Sequence, residues 1–286
     1  MRLLLLLCSL SLWLFGFNAF VSDAKVANGK TTLVEIKKED GYRYRGIKLA
    51  SKEFELYDHP KKAGWLYAIV PISYYQKPED MRLVISFVHN SKEQSRELFI
   101  KVEDGKYEKE KISVQPSKVK LSGKNKERAE REYAEAMKIY SKVTQKNYLV
   151  SAFIYPMQSK ITSDFGKARV YNDTLNGFHG GTDFRADVGT PIVAVNDGVV
   201  VLASDRFYSG NSMIIDHGRG VYSCYFHMSR FDVKVGDIVK RGVQIGLSGK
   251  SGRVTGPHLH FAIRVNNTLV DPMQFIATLN QNLLQE

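Results

Sequence analysis

Cysteine is nearly absent from this chain: of its 286 residues, only Cys8 and Cys224 are cysteines. Cys8 lies inside an apolar N-terminal run, so a chain that loses that run has no partner for Cys224 and no internal disulfide. Cys8 is also too far from the expected cleavage point to carry a lipid. Cys224, flanked by Tyr222 and Phe226 in a strand-like stretch, reads as a small buried hydrophobe rather than a nucleophile. Long apolar runs are equally scarce, the one exception being Leu3 to Val21. Acidic residues are outnumbered, 30 against 41 Lys and Arg, for a net charge of +11. Helical periodicity is confined to one central segment and the last dozen residues, which leaves a mainly β chain.

The length is that of two ordinary domains, and 43% hydrophobic residues suit a globular protein. Met1-Arg2 followed by Leu3–Val21 and then Ser22-Asp23-Ala24 has the form of a secretory signal, residues 1–24, cut near Ala24. An uncleaved anchor is the alternative, since the run approaches membrane-spanning length. Either reading places the remainder outside the cytoplasm. Loss of residues 1–24 leaves the charge unchanged, because Arg2 and Asp23 cancel. An exported basic protein is drawn to anionic polymers or surfaces; cell wall or lipid headgroups fit that location, and nucleic acid does not.

From residue 25 to 114, short strand-like runs (Thr32–Ile36, Leu66–Ile72, Met81–Val88, Glu97–Val102) alternate with turn residues, predicting a small antiparallel sandwich. His59 and His89 sit beside turn residues and read as surface histidines. Residues 115–150 read as a linker and a connecting helix, Lys124–Gln145. There Ala129, Tyr133, Ala136, Met137 and Tyr140 recur at helical spacing, and Glu127–Arg131 and Arg128–Glu132 are i,i+4 pairs. Residues 151–286 are strand-rich again, with runs at Thr190–Leu202, Asn211–Asp216, Val221–His227, Val243–Leu247 and His258–Val265.

Chemistry concentrates in this last part. Four of the chain's seven histidines fall in three motifs: His179-Gly180-Gly181-Thr182-Asp183, Tyr225-Phe226-His227, and Gly256-Pro257-His258-Leu259-His260. A hydrolytic zinc site typically takes three N or O ligands and keeps a fourth position for water. Two histidines and a carboxylate make such a set and leave two histidines for proton transfer. His258 and His260, at i and i+2 on a strand, project from one face while Leu259 points into the core. Gly180, Gly181 and the β-branched Thr182 place His179 on a loop running into a strand that holds Asp183. His227 falls at a strand end, and His217 reads as a turn residue.

In this order, HGGTD, YFH and GPHLH resemble the signature of the lysostaphin/LytM-type zinc metallopeptidases. The flanking Thr162-Ser163-Asp164-Phe165-Gly166, Gly189-Thr190-Pro191, Asp197-Gly198 and Gly249–Gly256 agree with it. The likeness runs from about Phe153 to Phe275. It implies an antiparallel β fold with a groove, the duplicated hybrid motif, and one zinc ion per chain. His179, Asp183 and His260 match the metal ligands, and His227 and His258 match the catalytic pair. The implied activity is endopeptidase action on peptidoglycan cross-links, in a Gram-negative periplasm at the D-alanine–diaminopimelate bond, with trimming of free stems also open. The partner is then the anionic wall itself, with other cell-wall proteins possible. The alternative is a silent LytM-like regulator that activates another hydrolase, a role usually marked by missing site residues. A biotinyl- or lipoyl-type carrier, suggested by Val233–Asp237, would leave the histidines without purpose.

Overall fold

The computed structural model describes residues 17–112, 123–171 and 174–284. Most of the expected signal and of the expected linker lie outside the described residues. The described part of the signal region includes Ala19–Val21, a strand paired antiparallel with Val34–Ile36. A cut near Ala24 would remove this strand.

The first part of the chain forms two packed sheets. One has the order Ala19–Val21, Thr31–Lys37, Trp65–Pro71, Tyr57–Asp58; the other has the order Lys25–Ala27, Lys92–Glu103, Glu79–His89, Tyr42–Leu49, Lys52–Phe54. Pairing is antiparallel except that Lys25–Ala27 runs parallel to Lys101–Glu103. Val34, Ile36, Leu66, Ala68 and Val70 fill the space between the sheets with Ile47, Leu83, Ile85 and Phe87. Leu33, Tyr67 and Ile69, on the opposite face of the first sheet, belong to the core of the second half. That sheet is therefore buried on both faces. A strand buried on both sides reads as a continuous apolar run rather than as an alternation, which is the pattern of Trp65–Pro71.

The halves are also joined by hydrogen bonds. The Thr31 amide donates to Gln274 Oε1 (2.9 Å), and Gln274 Nε2 donates to the Thr31 carbonyl (2.7 Å). Gln274 lies in the C-terminal helix Pro272–Leu279, which is capped by the Asp271 carboxylate and begins with proline at its first position.

The second half is built on a ten-stranded sheet whose main path runs Ile161–Ser163, Thr182–Arg185, His258–Val265, Val221–Phe231, Gly210–Asp216, Gly198–Arg206, Ile238–Val239. One face packs Phe184, Met213, Ile215, Tyr225, Leu259, Phe261 and Ile263 into the core. The other carries Tyr222, Cys224 and Ala262 under the helix Gly123–Tyr140, with Tyr140 buried against them.

Several expectations are corrected. The run Thr190–Leu202 is two strands, Pro191–Val193 and Gly198–Arg206. The turn between them is held by Asn196, which donates to the Ser151 carbonyl (2.8 Å), and Gly198 has no room for a Cβ beside Ile215 (2.5 Å). The helix ends at Tyr140, and Tyr133 is 66% exposed. At that level the helix docks through polar groups instead: Glu132 Oε2 accepts from the Phe207 amide (2.8 Å), and Arg206 Nη1 pairs with Glu135 (2.7 Å). His59 is buried rather than at the surface, its Nδ1 accepting from the amides of Lys61 and Lys62. His217 is more than a turn residue: it is fully buried, with Nδ1 donating to the Asp197 carbonyl (2.6 Å) and Nε2 2.7 Å from Ser223 Oγ.

Candidate metal centre

The site is assembled by strand register. In the antiparallel pair Thr182–Arg185 and His258–Val265, Asp183 stands opposite His260, and on the far side His260 stands opposite Phe226. Directly opposed residues share a sheet face, so one row across three strands brings Asp183, His260 and Phe226 together. The Phe226 and His260 rings lie parallel, 5.5 Å between centroids with 2° between planes. His179 enters from the loop that follows Thr174–Phe178 and is wholly buried. Gly181 lets that loop pass close by, since a Cβ there would meet the Phe261 carbonyl at 2.4 Å and His260 Nε2 at 2.6 Å.

Three ligand atoms converge. His179 Nε2, Asp183 Oδ1 and His260 Nδ1 are separated by 3.0, 2.8 and 3.0 Å. His179 Nδ1 lies 2.8 Å from the Asp164 carbonyl, so that nitrogen carries the proton and Nε2 turns a lone pair towards the carboxylate. Lone pair against lone pair at this distance requires a shared proton or a cation between them. The donor set of two imidazole nitrogens and one carboxylate oxygen is one that zinc accepts, and the triangle is small enough for a single ion at zinc–ligand distances of ~2.0–2.2 Å. His179, Asp183 and His260 could therefore hold a metal ion. Burial alone would raise the Asp183 pKa, but the adjoining nitrogens of His179 and His260 hold it well below the usual carboxylate range. The backbone carbonyl of Asp164, which fixes the His179 tautomer, is an orienting partner of the kind metal-bound histidines require.

The other two histidines stand beside this cluster. His258 Nδ1 lies 2.9 Å from the Gly256 carbonyl, and its Nε2 is 3.9 Å from Asp183 Oδ1. The His227 ring centroid is 4.9 Å from that of His258 and 6.2 Å from that of His260. His227 sits at φ +63°, a left-handed conformation for a residue with a side chain. Its amide donates to the Ser209 carbonyl (2.9 Å). Burial, with repulsion from His260 and His258, pushes its pKa down to about 4. All five histidine and aspartate positions singled out from the sequence thus meet in one place. Ser251 was not singled out; it fixes His227 through a backbone carbonyl, which leaves no mark in a motif.

Comparison with known proteins agrees with this geometry. Residues 177–272 match the model described as Peptidase family M23. Over 123 residues the chain is 44% identical to peptidoglycan DD-endopeptidase ShyA of Vibrio cholerae, an overlap of 42% of this chain and 29% of that protein. It is 46% identical over 106 residues to glycyl-glycine endopeptidase ALE-1 of Staphylococcus capitis, 35% of this chain and 29% of that one. The chain thus spans under a third of the length of these relatives. Among solved structures, a protein described as an M23 peptidase from Pseudomonas aeruginosa superposes with a TM-score of 0.66 at 26% identity, covering 88% of this chain and 95% of that one. The matched segment contains all of His179, Asp183, His227, His258 and His260, and the chain carries a peptidase family M23 domain.

Proposed function

We propose that this protein is an exported zinc endopeptidase that hydrolyses peptide cross-links of peptidoglycan at the bond between D-alanine and diaminopimelate, and acts in the periplasm. The observation that carries this reading is the complete donor triangle of His179, Asp183 and His260 with two further histidines beside it. A silent regulator of another hydrolase has no need of that full set. Among the described residues, no helix is long and apolar enough to cross a membrane.

Zinc in such a set makes hydroxide available near neutral pH and polarises a carbonyl. The protein's own contribution is orientation and proton handling. His258 is tethered through Nδ1 and presents Nε2 towards the metal cluster; His227 is tethered through Nδ1 to the Ser251 carbonyl (2.9 Å), leaving its Nε2 to accept or return a proton. Between them the pair can take the proton of the attacking water and deliver one to the departing amine. Trimming of uncross-linked stems would use the same groups.

The test is digestion of purified Gram-negative sacculi by the zinc-loaded protein, with and without chelator, followed by separation and mass analysis of the muropeptides. Chelator-sensitive conversion of cross-linked dimers to monomers is expected. Unchanged dimers, with zinc shown to be bound, would sink the proposal.

A further inference from the structure

The strand that supplies Asp183 places a second charged side chain on the same face. Thr182 and Phe184 are buried beneath the sheet, so Asp183 and Arg185 alternate to the side of the metal cluster. In the register, Arg185 stands opposite His258 as Asp183 stands opposite His260. Opposed residues on an antiparallel pair have Cβ atoms about 4.5–5.5 Å apart, and the 2.8 Å contact of Asp183 with His260 shows that this face is the shared one. The Arg185 side chain therefore starts beside His258, roughly 7 Å along the strand from Asp183.

Its backbone is fixed: the amide donates to the Lys160 carbonyl (2.9 Å), and the carbonyl accepts from Ser159 Oγ. The side chain is exposed, and among the described residues no carboxylate pairs with it. Other arginines of this half are engaged: Arg206 with Glu135, Arg230 with Asp232, Arg264 over Tyr140. A guanidinium without a counter-ion, set next to a histidine of the site, suits a ligand that brings its own negative charge. Its planar fork of donors matches a carboxylate bidentately.

The substrate proposed above has that charge in the required place. In a cross-link to diaminopimelate, the carbon that bears the scissile nitrogen also bears a carboxylate, so the charge lies two bonds from the bond to be cut. The corresponding carbon of a glycine bridge carries none. We propose that Arg185 is a specificity-determining residue that binds this carboxylate and so distinguishes the free-acid diaminopimelate cross-link from neutral ones. This rests on the peptidoglycan reading of the site.

The test uses the full zinc-loaded chain and two purified muropeptide dimers, one with the diaminopimelate carboxylate free and one with it amidated. The wild type should favour the free acid. Arg185→Gln should raise KM for the free-acid dimer about 10- to 100-fold, the range expected for loss of a charge-assisted hydrogen bond. Its kcat and zinc content should hold, and the amidated dimer should be cleaved as before. Arg185→Lys should recover part of the KM. Equal treatment of both dimers by the wild type, or an equal loss on both in Arg185→Gln, would overturn the assignment while leaving the endopeptidase reading intact. A zinc-bound wild type that cleaves neither dimer overturns both.

Discussion

Nδ1 of His227 donates to the carbonyl oxygen of Ser251 across 2.9 Å, while the same residue's backbone occupies the left-handed region at φ +63°. The strained backbone and the tethered ring together aim one histidine nitrogen at the site, and strain of this kind is retained where the surroundings over-determine it. The ring is thus positioned before any substrate arrives.

The histidines of GPHLH should separate in their behaviour. His258→Ala is expected to lower turnover by about 10²- to 10⁴-fold, the range for loss of a general acid or base, with bound zinc unchanged. His260→Ala should lose both zinc and turnover. Metal analysis of the two purified variants decides, and loss of zinc from His258→Ala would reverse the assignment.

Gly181→Ala tests the close approach of the His179 loop. The added methyl would meet the Phe261 carbonyl at 2.4 Å and His260 Nε2 at 2.6 Å, and the backbone carbonyl cannot move aside cheaply. Zinc affinity should fall at least ~10-fold, with a stability loss of about 1–3 kcal/mol from overpacking. Competition with a chelating dye and a thermal melt measure the two effects, and wild-type values for both would refute the steric account.

His217 should shape the acid limb of stability. Burial lowers its pKa from 6.5 to about 4. Between those values the unfolded chain binds more protons than the folded one, so stability rises with pH across the window and is lost as pH falls from 6.5 towards 4. The depression amounts to roughly 3 kcal/mol at 1.36 kcal/mol per pK unit. Denaturant melts at several pH values should show this slope, and His217→Gln should flatten it. An unchanged slope in the variant would remove His217 as its source.

Glu132 is one of the polar links between the central helix and the turn that joins strands Gly198–Arg206 and Gly210–Asp216. Glu132→Ala takes the partner from the Phe207 amide and from Arg128 Nε (2.6 Å). A loss of about 1–3 kcal/mol is expected, visible as a lower Tm, with the cleavage rate retained. Unaltered stability would mean that the Glu132 carboxylate is dispensable and that Tyr140 with the Arg206–Glu135 pair holds the helix.

The second half was legible because its chemistry and its geometry share a period. His258 and His260 are two apart on a strand, and that spacing states their common face without knowledge of the fold. His179 and Asp183 needed only the glycines between them to be placed on a loop and the strand that follows. Residues whose role depends on distant partners were not legible. His59 looked exposed beside Pro60, yet its ring is buried against Glu35, 24 positions earlier. Tyr133 fitted the helical stripe, but the helix turns that residue to solvent and docks by charge at the same level. Arg185 bore no motif; its significance came only from the register that sets it opposite His258. The continuous apolar run at Trp65–Pro71 was visible, but its cause, a second covering layer supplied by the other half, was not.

The helix Gly123–Tyr140 covers Tyr222, Cys224 and Ala262 on the face that, a few residues along the same strands, carries Phe226, His258 and His260. The helix therefore closes that face at one end of the strands, and the histidine cluster lies at the other.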